Sequence, residues 1–415
     1  MRARSSMLRH LARRTSTTPA RADAIVIGAG PAGIASVGHL ISHDLRVLWV
    51  DDDGFGGGAI KRYRDVPANT KVDVLNNMGG PEYLPNGLPP SASAVLDKMN
   101  QTAYPLNMKH DPATIGWTGL DQCHDFFAAL TDSLKSHPNC DTVAGRVDTL
   151  QRDSSKVGAW RARLRGAAAD DFSLTAPSVI LATGAVPHAA PADIQHPRVL
   201  PQEVALQLPS LRALVEPTDT VGIVGANHTG MVVAMHLVEQ LGIRTTRLFV
   251  RRPIRLAQWD PMDGCYGNWA FRGLKGEAAR FAIEHELVGT DPPNGPIGPS
   301  ATGGSSSLEL YDARRLYEDA GKSCDALVFC LGFGPPPLPT ILARDGERIS
   351  VAAHEVPGGG LRDASGKRIR GLFGVGLGFS DAEYTSGSSY AEAGFMPFAV
   401  RAGEIAEAVA LRTPL

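Results

Sequence analysis

Residues 23–53 read DAIVIGAGPAGIASVGHLISHDLRVLWVDDD, and the fold is decided there. The apolar run 24–27 has the character of a buried parallel strand. It leads into Gly28-Ala29-Gly30-Pro31-Ala32-Gly33, a G-x-G-x-x-G loop, then a helical stretch to about His43 and a second apolar strand over 46–50. Asp51 closes that strand, 18 residues after Gly33. Gly28 permits the tight strand-to-helix turn, Gly30 lets backbone approach a pyrophosphate, and Gly33 lets helix pack close to strand. The helix start, with Pro31 and Ala32 in its first turn, offers free N–H groups and a partial positive charge to the phosphates. Asp51 can accept hydrogen bonds from ribose hydroxyls. The strand before, the helix after and the acid at this distance make the loop a specific dinucleotide signal rather than a glycine-rich turn.

The same unit returns 197 residues later, from Gly28 to Gly225. An apolar strand over 220–224 runs into Gly225-Ala226-Asn227-His228-Thr229-Gly230, followed by a helix and a strand ending at Val250. The chain is therefore expected to be α/β, with two Rossmann-like dinucleotide-binding domains. Asn227 stands where the middle glycine belongs. A Cβ there hinders close approach of a pyrophosphate, so the expectation is a loosely or differently seated nucleotide, with a structural relic as the alternative. His228 adjoins the loop and is a nucleotide-side candidate, with a structural role weighed above a catalytic one. After this strand the ribose-binding acid is missing, and Arg251 and Arg252 take its place. Guanidinium forks bind phosphate bidentately, which points to the 2′-phosphate of NADPH. A solvated basic turn is the competing reading.

The rest of the composition narrows the field. A chain of 415 residues with 43% hydrophobic and 20% charged residues has room for two or three domains and is not globally disordered. A net charge of −2 argues against a nucleic-acid binder that neutralises phosphates. No run is long and apolar enough for a membrane span. The five cysteines are scattered without a C-x-x-C, so neither a disulfide scaffold nor a zinc ribbon nor any other metal site is expected. Residues 1–22 hold six Arg, six Ser or Thr and no acid, the composition of a transit peptide, which predicts mitochondrial targeting with a cytoplasmic chain as the alternative. Removing those six from the 41 basic residues leaves 35 against 43 acidic ones, a mildly acidic body.

Beyond the two loops, residues 54–70 (GFGGGAIKRYRDVPANT) resemble the FAD-binding half of the two-dinucleotide-fold flavoproteins, the superfamily of flavin monooxygenases, N-hydroxylating monooxygenases and pyridine nucleotide-disulfide reductases. Gly57 and Gly58, with Gly56, stand where those families place a G-G near the flavin. The strand ending in Ala182-Thr183-Gly184 resembles the second signature of the superfamily. Residues 324–335 resemble its return strand, and 371–378, with Gly376 and Gly378, its last flavin-contacting strand. The resemblance implies an FAD domain made of 23–190 and 325–415, with an NADPH domain at 215–324 inserted in it. It also predicts loops over 81–118 and a surface loop over 289–307. Single strands are read over 141–152, 159–165 and 172–178, helices over 119–135 and 394–409.

What the resemblance implies for chemistry is an FAD-dependent NADPH oxidoreductase in which the flavin performs the redox step. Without C-x-x-C, disulfide reduction through a dithiol relay is disfavoured. The preferred expectation is a monooxygenase-like enzyme that passes electrons to oxygen and a small organic substrate, with Asn69, Asn76 and Asn77 as candidate donors beside the flavin. The F-x-G-x-x-x-H linker pattern of flavin monooxygenases is absent. A reductase or oxidase without oxygen insertion therefore stays open, as does a non-catalytic redox module. The expected partner is a small molecule; a homodimer is left open as the assembly.

Overall fold

The computed structural model describes residues 22–77, 84–102, 117–153, 158–165, 173–257, 273–289, 307–313, 323–354, 358–379 and 395–411. In the first unit, β1 (Ala24–Ile27) leads into helix α1 (Pro31–Ser42) and β2 (Val47–Asp51). β3 (Cys140–Ala144) and β4 (Ser178–Leu181) extend the same sheet. β1 lies parallel between β2 and β4, with Ala24 opposite Val47 and Ser178, and β2 pairs parallel with β3. Every residue of β1 is buried, as a strand covered on both faces requires. Burial of each large aliphatic side chain here contributes roughly 1.5–3 kcal/mol.

The second unit repeats the plan. β5 (Thr220–Val224), helix α2 (His228–Met235), β6 (Thr245–Val250), helix α3 (Gly276–Glu284), β7 (Ser307–Asp312) and β8 (Ala326–Phe329) follow in order. Its parallel sheet runs Val199–Leu200, β8, β5, β6, β7. The chain then returns to the first sheet. β9 (Arg368–Gly374) lies parallel to β4, and helix α4 (Phe395–Ala410) packs on α1, where Gly403 approaches the His39 ring. The first sheet thus reads Val351–His354, Gly360–Asp363, β9, β4, β1, β2, β3, built from chain on both sides of the insertion. An antiparallel meander of Val147–Arg152, Trp160–Leu164 and Ser173–Ala176 caps it, joined by Thr340–Leu342.

Three sequence expectations are corrected. The boundaries at 215 and 324 move outward, because the short strand Val199–Leu200 and β8 both hydrogen-bond within the second sheet. β8 has the apolar character of a return strand, yet pairing beside β5 decides which sheet it joins. The single strand read over 141–152 is two: β3 joins the main sheet, and Gly145, at φ +157°, breaks the run before the meander begins at Val147. Residues 81–118 are not all loop, since Pro90–Thr102 forms a helix with proline in its first turn, a position that costs no hydrogen bond. The loop expected at 289–307 lies almost wholly outside the described residues, as does the basic segment 1–22 apart from Ala22.

The two units are pinned across their boundary. Tyr63 belongs by chain to the first unit but is buried in the apolar cluster of the second, with Leu206, Val232 and Ala278. Its hydroxyl donates to Glu203 Oε1 at 3.4 Å. Burial, reinforced by the Glu203 charge, pushes the Tyr63 phenol up to about 12.

Candidate functional site

The first glycine loop is shaped by backbone contacts that leave no room for side chains. Gly28 turns at φ +112°, where a Cβ would lie 2.2 Å from the Ala182 carbonyl oxygen. A Cβ on Gly33 would sit 1.9 Å from the Gly28 oxygen. Gly30 is different: a Cβ there meets no protein atom within 4 Å. Packing does not require glycine at 30, so the free space over it is available to a ligand. Helix α1 begins there with no side-chain cap, leaving its first N–H groups for an anion. The loop 54–58 folds over this space, with the Gly57 N–H donating to Ala29 O at 3.1 Å and Gly58 close against Gly30.

Asp51 closes the other side. It is 7% exposed; its Oδ2 accepts from the Ala29 N–H at 2.7 Å and its Oδ1 from the Asp53 N–H at 2.9 Å. Burial raises its pKa above the usual carboxylate range, opposed by those two N–H donors. Thr183, at the end of β4, carries a buried hydroxyl oxygen with no protein partner. An open cradle over Gly30, a carboxylate at the strand end and an unpartnered hydroxyl fit a dinucleotide, its pyrophosphate over the helix start and a ribose at Asp51.

The second loop reproduces the frame. Gly225 turns at φ +102°, and a Cβ on Gly230 would lie 1.9 Å from Gly225 O. Cys330 replaces Ala182 as the neighbouring strand end, with its carbonyl 2.5 Å from a Cβ on Gly225. The middle position is filled by Asn227, which caps α2: Oδ1 accepts from the Gly230 N–H and Nδ2 donates to Cys330 O, each at 3.0 Å. At the end of β6, Arg251 and Arg252 are exposed and have no side-chain partner among the described residues. An exposed pair of guanidinium groups in place of the acid suits an extra phosphate on the ribose.

Beside the second loop, where the two units meet, lies a cleft of about 180 Å³. The first unit contributes Tyr63, Val66, Pro67, Ala68 and Leu120; the second contributes His228, Thr229, Val232, Lys275, Glu277 and Ala278, with Leu206 and Phe333 from the connecting segments. The lining is largely apolar with a few polar groups, the usual makeup of a small-molecule site. His228 Nε2 accepts from the Lys275 backbone N–H at 3.0 Å, which leaves the proton of the neutral ring on Nδ1. Burial, with the nearby Lys275 charge, lowers the His228 pKa to about 4, so the ring is neutral at physiological pH. The Glu277 charge is taken up by Arg280 at 2.7 Å.

The structure therefore gathers Gly28, Gly30, Pro31, Ala32, Gly33, Asp51, Gly57, Gly58, Thr183 and Gly184 at one loop. Gly376 joins them, since a Cβ there would lie 3.0 Å from Ala32 Cβ, and Gly378 packs under the Gly184 carbonyl. Gly225, Asn227, His228, Gly230, Arg251 and Arg252 gather at the other. The asparagine candidates fare differently. Asn76 exchanges amide hydrogen bonds with Asn100 at 2.9 and 3.1 Å, tying two helices together. Asn69 lies in strand Pro67–Lys71 and Asn77 at the end of helix Val72–Asn77; their side chains lie outside what is described. Sequence reading missed the cleft itself, the Tyr63–Glu203 pair and the Lys275 contact, because each joins residues far apart in the chain. The capping role of Asn227 had a local signal, since asparagine is among the strongest N-cap residues. No cluster of three or more His, Cys, Asp or Glu able to hold a metal occurs among the described residues. Nor is any described helix long and apolar enough to cross a membrane.

Two dinucleotide cradles in one chain, the second of which opens on the cleft through His228 and Thr229, define a flavin- and pyridine-nucleotide-dependent oxidoreductase. The chain belongs to the pyridine nucleotide-disulphide oxidoreductase family, whose model matches residues 22–262. It is 28% identical over 396 residues to the monooxygenase AgnR1 of Paecilomyces divaricatus, covering 88% of this chain and 92% of that one. Among solved structures it is similar to the ornithine N-hydroxylase of Kutzneria sp. 744, with TM-score 0.63, 14% identity and 95% and 100% of the two chains covered. The flavin-containing monooxygenase from Stenotrophomonas maltophilia matches with TM-score 0.56 and 17% identity, over 94% and 99% of the chains. At these identities the solved structures establish the shared fold.

Proposed function

We propose that this chain is an FAD-dependent, NADPH-linked monooxygenase acting on a small organic substrate. The observation that carries the reading is the cleft, where the start of α2 (His228, Thr229) and the first-unit strand bearing Pro67 and Ala68 line one apolar space. The 28% identity to a monooxygenase over most of both chains supports it. So does the lack of any C-x-x-C, which removes the dithiol route. FAD, held by the Gly28–Gly33 loop and Asp51, would supply the redox chemistry that links a reduced nicotinamide to oxygen.

The chain's own residues supply binding, orientation and dryness. The Gly28–Gly33 loop and Asp51 hold the first nucleotide. Arg251 and Arg252 hold the 2′-phosphate of the second. The apolar walls of the cleft exclude water, which strengthens every polar contact inside it. His228, neutral and with its proton on Nδ1, offers a donor without bringing a charge. Asn69 and Asn77 remain candidate donors on the flavin side; Asn76 is occupied by Asn100.

The test is an anaerobic addition of NADPH to the yellow protein, followed by air and a panel of small sulfides, amines and ketones. Bleaching of the flavin band by NADPH, then a product heavier by one oxygen atom, is the expected result. NADPH consumption that yields peroxide or a reduced quinone, with no oxygenated product, selects a reductase or oxidase instead. The Arg-rich, acid-free residues 1–22 support a further proposal, that they direct the chain to mitochondria; a fluorescent fusion that stays in the cytosol overturns it.

A further inference from the structure

The two loops share the glycines at both ends and the alanine between, and differ at three positions, where Gly30, Pro31 and Ala32 correspond to Asn227, His228 and Thr229; the first of these is the glycine expected to face a pyrophosphate. That position is sterically open in the first loop, since a Cβ on Gly30 meets nothing. Its helix has no side-chain cap. In the second loop an amide fills the same position and makes two bonds, one to the Gly230 N–H and one to the Cys330 carbonyl. Both partners are fixed: Gly230 is pressed against Gly225 O, and Cys330 ends the buried strand β8. A helix start ordinarily satisfies its free N–H groups with a cap, with water or with a bound anion. Here the protein's own Asn227 side chain already takes one of those N–H groups, that of Gly230.

We propose that the Asn227 side chain occupies, in the nucleotide-free protein, the place the second pyrophosphate must take, and so sets the affinity of the second nucleotide. The inference rests on the reading above that NADPH binds this loop. A pyrophosphate reaches the helix start only when the amide gives up two hydrogen bonds, and it meets a Cβ that the first loop lacks. Two such bonds correspond to a penalty of about tenfold to a hundredfold in affinity. Asn227 is thus a residue that tunes how long the nicotinamide stays, separate from the arginines that choose its phosphorylated form.

The experiment is calorimetric binding of NADP+ to the FAD-loaded protein, with adenosine 2′-monophosphate, which carries the 2′-phosphate but no pyrophosphate, as the second probe. Asn227→Gly should bind NADP+ about tenfold more tightly and adenosine 2′-monophosphate unchanged. Glycine is nearly as well tolerated as asparagine at an N-cap, so the loop is expected to survive. Should that variant not fold, Asn227→Ser keeps the cap on Gly230 but is too short for Cys330, and it should tighten NADP+ by a smaller factor. Asn227→Asp keeps the cap, adds a negative charge where the phosphates must come, and should weaken NADP+ more than tenfold. Unchanged or weaker NADP+ binding in Asn227→Gly, or in Asn227→Ser where glycine does not fold, overturns the proposal, because the amide would then be neutral or a ligand. Failure of adenosine 2′-monophosphate to bind the wild-type chain is a separate result. It overturns the assignment of the 2′-phosphate to Arg251 and Arg252 and leaves the Asn227 comparison decided by NADP+ alone.

Discussion

At the first loop Gly28 turns at φ +112°, Pro31 starts the helix and the space over Gly30 is open. At the second, Gly225 turns at φ +102°, His228 takes the place of Pro31 and an asparagine amide fills the gap. The contacts that force glycine, at the turn and at helix–strand packing, are the same in both. The positions that packing leaves free are those that diverge. A nucleotide fold therefore separates what it needs to stand from what it needs to bind, and the second is where its two copies have become different.

The largest effect that sharpens this comparison comes from the shared glycines. Gly33→Ala places a Cβ 1.9 Å from Gly28 O and should destabilise the first unit by about 3 kcal/mol, yielding colourless protein. Gly230→Ala meets the same 1.9 Å contact and should abolish NADP+ binding while the protein stays yellow. Loss of flavin from Gly230→Ala would show that the strain spreads through the boundary that Tyr63 pins into the first unit. Thermal melts and the visible spectrum read both.

The next effect exists at one loop alone. His228 is held neutral to about pH 4, against an ordinary value of 6.5. The unfolded chain takes up that proton as pH falls through 6.5, and the folded chain does not until about 4. Stability from this site is thus complete above 6.5 and falls as pH drops across that window, by about 3 kcal/mol. His236, lowered mainly by burial, acts in the same direction. His228→Gln should flatten the stability profile between pH 6.5 and 4; an unaltered slope in urea titrations would count against the assignment.

Smaller changes test how each strand end chooses its ribose. Asp51→Ala removes a carboxylate that accepts two backbone N–H bonds and should weaken FAD about tenfold to a hundredfold, measured by flavin retention on dialysis. Arg252→Ala should weaken NADP+ about tenfold with little effect on NAD+; equal losses would defeat the 2′-phosphate assignment. The smallest effect lies away from both loops. Asn76→Ala breaks the pair with Asn100 and should cost about 1 kcal/mol of stability without altering oxygen transfer.

Both loops were legible in the sequence because their glycines answer to local geometry. Gly28 and Gly33 are dictated within one strand–turn–helix unit, and the spacing to Asp51 follows from one helix and one strand. The inserted arrangement followed from the resemblance of residues 324–335 and 371–378 to the returning strands of the flavoprotein superfamily. Residue 324 as a boundary was not, since the apolar run Ala326–Phe329 suits either sheet and only its pairing beside β5 decides. Helix Pro90–Thr102 escaped because its sequence is polar and its burial comes from partners elsewhere, with Leu96 and Met99 packed in the first core. The cleft was invisible for the same reason, since Tyr63, His228 and Lys275 meet only after both units have closed.

The first sheet is completed by β9, and α4 lies over α1. Both come from the far end of the chain, whereas the second sheet is drawn from 199–329 alone. On the ribosome the inserted unit is therefore whole while its host is still missing a central strand and a covering helix. The half of the molecule that is translated first must wait, its apolar surface bare, until the last residues emerge, and any truncation of the C-terminus leaves that surface open to chaperones and proteases.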